Sequence, residues 1–350
     1  MIFRKSPGLV GLDIGSSALK AGEITATKKG FALKNFGMIN IAQGAIEEGN
    51  INDPENVADS IRQLFKANNL KEKNVAISIG GYSVIVKKID LQTVTEEQLQ
   101  ETIHLEAEQY IPFDISEVNI DYQILGEKEA DSNQMSVILV AAKKEMINEY
   151  INLVQIAGLN PCIIDVDAFA LQNIFEVNYD LIDENVVLID IGANKTSLNI
   201  LKGYSSVFMR DVSLGCSQIN QKIISLIDCS FIEAEQLKLG KQPDKISPDD
   251  LKQTVSSVVS EWSIEIRRAL DFYYSVNPDE QIKSIVLSGG GAHIKEFRQL
   301  LAAETSSEVE TINPFKKLDV SARFDPSYLE QIAPQAAICM GLALRRVADK

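Results

Sequence analysis

Gly11-Leu12-Asp13-Ile14-Gly15-Ser16-Ser17 returns 177 positions later as Leu188-Ile189-Asp190-Ile191-Gly192-Ala193-Asn194, with both aspartates and both glycines at the same offset. Each copy follows a short apolar run of the kind that forms a buried strand. Each also leads into a second strand-like segment, Ala18 to Ile24 after the first and the alternating Thr196-Ser197-Leu198-Asn199-Ile200 after the second. The spacing predicts two strand-turn-strand hairpins, one in each half of a duplicated chain.

Such a hairpin suits phosphate. Glycine tolerates positive φ and has no Cβ, so a phosphate can approach the backbone, and successive N–H groups in the turn form an anion-binding nest. Ser16, Ser17, Asn194 and Thr196 add short donors, and Lys20 adds a point charge. Asp13 and Asp190, at strand ends, would hold Mg²⁺ through its waters, because that ion gives up its hydration reluctantly. One D-x-G turn alone is more often an ordinary hairpin, and repetition in both halves reverses that judgement. Neither copy is a Walker motif, since no G-x-x-x-x-G-K-[ST] occurs and a strand rather than a helix follows. A third cluster, Ser288-Gly289-Gly290-Gly291-Ala292, follows the strand-like Ile285 to Leu287 and precedes the helix-like Ile294 to Leu301. Its glycines would let backbone lie against a planar ring or ribose, and the plain alternative is a tight strand-helix turn.

The rest of the sequence sets limits on that reading. In 350 residues, 34 basic side chains face 49 acidic ones for a formal charge of −15, which disfavours nucleic acid and anionic lipid as direct partners. A protein so acidic needs a metal and backbone N–H groups to accept a polyanion. Four cysteines without C-x-x-C pairing and only two histidines, His104 and His293, argue against zinc and for reduced thiols in a cytoplasmic protein. The charged start Met1 to Lys5 has no signal-peptide core behind it, and no apolar run approaches the ~18 residues of a membrane span. Val- and Ile-rich runs at Leu9–Leu12, Val75–Ile79, Val137–Val140, Val186–Ile189 and Ile285–Leu287 alternate with helices, giving an α/β class with mixed sheets. One helix should start at Asp53-Pro54 and stop at Asn68-Asn69. A second should open on a Thr95-x-x-Gln98 capping box, and a long one should follow Pro248 with Trp262 in its apolar stripe. The stretches Gly126 to Gln134 and Gly240 to Asp250 read as loops.

In this order the motifs resemble the actin-like ATPase superfamily: phosphate hairpin, connecting helix, second hairpin, glycine loop, second connecting helix. Asp13 to Lys20 looks like the first hairpin and Asp190 to Thr196 like the second. Ile164 to Leu171 and Gln335 to Ala343 look like the connecting helices. Within the superfamily the chain is similar to the type IV pilus assembly family PilM. That similarity rests on Gly11 to Ser17, Glu106-Ala107-Glu108-Gln109-Tyr110-Ile111-Pro112-Phe113, Asp121-Tyr122-Gln123-Ile124-Leu125 and Arg267-Arg268-Ala269-Leu270-Asp271-Phe272-Tyr273.

The resemblance implies an actin-like (RNase H-like) duplicated fold. The first half would be 1–185, with a small inserted subdomain at about 82–158 as in the division relative FtsA, and the second 186–350, with a subdomain at about 219–281. It implies ATP with Mg²⁺ in the cleft between halves. The metal would fall to Asp13 and Asp190. The nucleotide would fall to Gly15, Ser16, Ser17, Lys20, Gly192, Asn194, Lys195, Thr196, Glu235, Lys238, Gly289, Gly290 and Gly291. Asp167-Ala168 stands where many relatives have glutamate and proline, so Asp167 is the candidate to position water and the expected turnover is slow or nil. It implies a cytoplasmic scaffold at the inner-membrane pilus platform that docks the N-terminal peptide of a PilN-like membrane protein, with pilus motor ATPases as further partners and no insertion into the membrane.

Other readings stay open at this point. Glu235 and Lys238 also have the spacing of a solvated helix face, and Arg267 with Asp271 reads as an i,i+4 ion pair rather than an adenine contact. The relatives' Gly-Gly is here Gly215-Cys216. An FtsA-like filament protein is the first alternative, although the chain finishes shortly after Gly341-Leu342-Ala343-Leu344-Arg345-Arg346-Val347 without a membrane-binding amphipathic helix. A sugar or acetate kinase is a more distant one, with no sugar-binding carboxylate in view.

Overall fold

The computed structural model describes residues 9–127, 133–180, 184–241 and 245–347. The start Met1 to Lys5 and the middles of both expected loops lie outside the described residues.

The first half opens with β1 (Val10–Ile14), β2 (Ala18–Thr27) and β3 (Gly30–Asn40), followed by the short β4 (Ile46–Glu47) and β5 (Asn50–Ile51). Then come α1 (Pro54–Ala67), β6 (Asn74–Ile79), β7 (Val84–Gln92), α2 (Glu96–Ala107), β8 (Val118–Glu127), β9 (Gln134–Lys143), α3 (Lys144–Ile156), β10 (Asn160–Val166) and α4 (Asp167–Asn178). The second half carries β11 (Asn185–Ile191), β12 (Thr196–Lys202), β13 (Ser205–Val212), α5 (Ser217–Ile227), α6 (Phe231–Lys238), α7 (Pro248–Val276), β14 (Ile282–Ser288), α8 (Lys295–Thr305), β15 (Glu308–Thr311), β16 (Asp319–Val320) and α9 (Pro326–Leu342).

The duplication expected from the repeated motif is plain in the sheets. The first has the order β10-β6-β1-β2-β3-β16 and the second β13-β12-β11-β14-β15. In each, an antiparallel three-strand meander continues through two parallel strands beside its first strand. Side chains alternate along these strands because the period is two. Val10, Leu12 and Ile14 of β1 therefore pack outward with α1 and α3, while Val187, Ile189 and Ile191 of β11 pack outward with α5, α7 and α8. The opposite faces enclose α4 and α9 in a shared central core. Gly11 and Asp13 fall on that inner face of the first sheet, and Leu188 and Asp190 on that of the second.

From Ile332 onward helix α9 is almost wholly apolar and buried, as a central helix must be, with Gln335 half-buried. Its contacts are made by the absence of side chains. A Cβ at Gly341 would overlap the carbonyl of Ala170 on α4, and one at Gly11 would overlap the carbonyl of Cys339 on α9. Pro334 lies within α9, and its carbonyl accepts hydrogen bonds from Gly289 N and Ser288 Oγ, both at 3.0 Å, which ties the helix to the glycine loop.

Local signals behave as the sequence predicts. Asp53 caps α1 by accepting from Asn56 N, Pro54 is its first residue, and Asn68 ends it. The Thr95/Gln98 capping box is present on α2. Trp262 of α7 is buried, donates from Nε1 to Gln218 Oε1 at 2.7 Å and meets Phe297 edge-on at 5.6 Å. Three findings differ. Only the latter part of Ile164 to Leu171 is helical, because β10 runs to Val166 and α4 starts at Asp167. The small sheet, of order β7-β9-β8, is covered by α2, while α3 packs its Met146, Tyr150 and Leu153 into the first sheet's outer core. Arg267 makes no ion pair with Asp271 among the described residues, and the neighbouring Arg268 pairs instead with Glu265 one turn earlier. Of the four free thiols, Cys216 and Cys339 are buried and Cys162 and Cys229 half-buried.

The α4–α9 crossing gives the first prediction. Gly341→Ala should lower unfolding stability by about 1–3 kcal/mol, because overpacking against backbone cannot be relieved by a side-chain shift. Chemical denaturation followed by far-UV circular dichroism measures it.

Candidate functional site

A cleft of about 1580 Å³ opens between the two halves, and its floor is the pair of hairpin turns. In the first, Ile14 pairs with Leu19 and Gly15 N donates to Ala18 O at 3.2 Å. In the second, Ile191 pairs with Thr196 and Gly192 N donates to Lys195 O at 2.8 Å. These bonds close the turns and leave the residues between them. Among the described residues, the amides of Ser16, Ser17, Ala193 and Asn194 have no backbone acceptor, and all four residues line the cleft. Two short runs of amides without a backbone partner, on residues that line one opening, suit an anion nest.

The two aspartates face each other because both sit on inner faces at the ends of their strands. Asp13 is 8% exposed and pairs with Lys20, Oδ2 to Nζ 2.9 Å. Burial nevertheless outweighs that lysine and raises the carboxyl above the usual carboxylate range. Asp190 makes no ion pair among the described residues. Burial pushes its carboxyl up to about 6, with Ser288 and Lys195 pulling only partly the other way. A half-buried carboxylate short of positive charge is suited to a cation.

Asp167, at the first position of α4, enters the cleft beside Lys195, whose Nζ lies 2.6 Å from Asp167 Oδ2 and 3.7 Å from Asp211 Oδ2. Burial acts to raise the Asp167 carboxyl, but Lys195 and the Ser78 hydroxyl overcome it and hold it below its ordinary value. The Lys195 ammonium is raised despite burial, chiefly by Asp167 and Asp211. Around the turns four carboxylates, Asp13, Asp167, Asp190 and Asp211, thus share two lysines, a local excess of negative charge. Among the described residues no three His, Cys, Asp or Glu side chains form a metal cage. Two carboxylates, Asp13 and Asp190, would suit a cation that keeps most of its waters.

Most expected residues meet in this cleft: Gly15, Ser16, Ser17 and Lys20 from the first hairpin, Gly192, Asn194 and Lys195 from the second, and Asp13, Asp167 and Asp190 between them. On the far wall, Lys238 pairs with Glu235 at 2.6 Å, and the same Glu235 oxygen accepts from Asn220 at 2.7 Å. Both residues line the cleft, the Lys238 side chain 13% and the Glu235 side chain 38% exposed. Gly289 and Gly290 line the opening. Gly289, with φ +79, lies where a Cβ would overlap the backbone of Ile191, so only glycine fits.

Two expected residues are elsewhere. Thr196 is buried, and its Oγ1 donates to Leu214 O at 2.9 Å, so the hydroxyl ties the start of β12 to the segment between β13 and α5. Gly291 is a packing glycine, since a Cβ there would overlap the side chain of Ile191. Cys216 forms part of the wall, with its thiol pushed up to about 11 by burial. Sequence reading missed Ser78, Gly80, Gly81 and Asp211. The Gly80-Gly81 doublet after β6 was a usable signal, whereas Asp211 on β13 carries no motif.

Two duplicated sheets around α4 and α9, with hairpins facing across a cleft, define the actin-like ATPase fold. The chain belongs to the family of type IV pilus assembly protein PilM, whose family model matches residues 11–347. It is similar to a chain solved in the PilM-PilN type IV pilus biogenesis complex, at 27% identity and TM-score 0.88, covering 99% of this chain and 100% of that one. Ethanolamine utilization protein EutJ from Carboxydothermus hydrogenoformans shares the fold at 14% identity and TM-score 0.60, covering 97% and 90%. MreB5 of Spiroplasma citri, solved bound to ADP, does so at 12% identity and TM-score 0.51, covering 95% and 94%.

The Asp190 carboxyl yields a pH prediction. Its folded value of about 6 lies above the unfolded value of 3.8, so the fold favours its protonated form and its ionisation costs stability as pH rises through that window. Asp190→Asn should therefore stabilise the ligand-free protein by about 1–3 kcal/mol at pH 8 and by little at pH 4. Thermal melts of both proteins at the two pH values check it.

Proposed function

We propose that the protein binds ATP with Mg²⁺ between its two hairpins and acts as a nucleotide-dependent scaffold at the cytoplasmic face of the pilus assembly platform, docking the N-terminal peptide of a PilN-like membrane protein. The observation that carries the nucleotide reading is the pair of turns, each offering unsatisfied amides to one cleft, with Asp190 short of positive charge between them. Amides of Ser16, Ser17, Ala193 and Asn194 would hold phosphate oxygens, and Asp13 and Asp190 would hold the metal's waters. The metal, when bound, neutralises phosphate charge. Gly289 and Gly290, with Glu235 and Lys238, would flank the ribose and base. The halves 1–185 and 186–350 would be the two bodies that close on the nucleotide. The docking reading draws on the similarity to a chain of the PilM-PilN complex. Among the described residues no helix is long and apolar enough to cross a membrane, so attachment would run through the partner.

Titration with a fluorescent ATP analogue should show saturable binding with Mg²⁺ and little without it. Asp13→Ala and Asp190→Ala should each weaken binding about tenfold or more, as lost partners of a bound metal's ligands do. For docking, the first dozen or so residues of the PilN-like partner, immobilised as a peptide, should retain the protein in a pull-down, and a peptide of scrambled order should not.

A further inference from the structure

Lys195 is held from two sides. Its ammonium meets Asp167 at 2.6 Å and Asp211 at 3.7 Å, and the Asp211 oxygen that faces it also accepts the Gly81 N–H. Space for this arrangement comes from a missing side chain, because a Cβ at Gly80 would overlap Lys195 Nζ and press on Asp167 Oδ2. The node joins the halves: Gly80, Gly81 and Asp167 follow strands of the first sheet, whereas Lys195 and Asp211 belong to the second. Lys195 and Asp167 are 28% and 21% exposed, and both line the main cleft.

We infer that Asp167 and Asp211 act as an internal substitute for a polyanion, holding Lys195 until an entering polyphosphate takes it from them. This rests on the nucleotide reading above and concerns the regulation of that same site. A partly desolvated ammonium needs an anionic partner, and it exchanges one for another at modest net cost when their distances and charges are comparable. Nucleotide affinity is then set by the difference between the two sets of partners rather than by Lys195 alone. Asp167, engaged in this way, is a competitor of the ligand and not a group free to accept a proton from water.

The consequence runs opposite to the usual effect of deleting an acidic residue from a metal-nucleotide site. Isothermal titration of ATP at saturating Mg²⁺ should show Asp167→Asn binding about three- to tenfold more tightly than the unmodified protein, and Lys195→Met about tenfold more weakly. In the Lys195→Met background, Asp167→Asn should change affinity by less than about twofold, because the contest no longer exists. Asp211→Asn should follow Asp167→Asn in direction, and it replaces that variant if thermal melting shows the latter to be unfolded. Equal tightening in both backgrounds would reflect the loss of negative charge alone and would overturn the inference. Weaker binding by Asp167→Asn would also overturn it and would make Asp167 a direct ligand. Absence of binding by the unmodified protein would overturn the nucleotide reading together with this one, whereas binding without the expected coupling overturns this one only.

Discussion

Everything in the cleft depends on how closely α9 lies against α4 and β1. Gly341 over the Ala170 carbonyl and Gly11 under the Cys339 carbonyl let helix and sheet backbones approach without intervening side chains. Both helices are shared by the inner faces of the two sheets, so this contact sets how the sheets face one another. Asp13 and Asp190 then meet across the cleft by parity alone: each is two residues beyond an inner-facing position on its strand. The Pro334 carbonyl, bonded to Gly289 and Ser288, passes the same constraint to the glycine loop. Position in the site is thus a consequence of packing in the core.

Electrostatics decides what that geometry can accept. The protein is acidic overall, and around the two hairpin turns four carboxylates, Asp13, Asp167, Asp190 and Asp211, surround two lysines, Lys20 and Lys195. Positive potential at the turns comes from their backbone amides as well as from lysines, with Lys238, Lys252 and Lys295 farther out on the cleft lining. The two lysines at the turns are already paired, Lys20 with Asp13 and Lys195 with Asp167. The −15 formal charge therefore bears on mechanism as well as on the choice of partners.

The hairpins and the duplication were legible because glycine and aspartate at a fixed offset report local backbone requirements, whereas the connecting helices came from the family resemblance alone, and β10 takes the first part of Ile164 to Leu171. Helix ends at Asp53, Thr95 and Pro248 were legible from local requirements too, each being settled within four residues. Thr196 was misread because its residue type fits a phosphate donor, while its place as the first residue of β12 turns the hydroxyl to Leu214. Gly291 was misread because a glycine reports that space is needed and not which neighbour needs it. Lys195 and Asp167 were named from the sequence, but their pairing and the part of Asp211 in it were not legible. Members of that node lie 28 and 130 positions apart along the chain, and such pairings exist only after the sheets have formed.

The central claim is that the two turns form one polyphosphate site. A crystal structure of the protein grown with Mg²⁺ and a non-hydrolysable ATP analogue tests it most directly. The account predicts phosphate oxygens within hydrogen-bonding distance of the amides of Ser16, Ser17, Ala193 and Asn194, about 2.7–3.2 Å, with the metal's waters on Asp13 and Asp190. Phosphates bound elsewhere, or touching only one of the two turns, would contradict it.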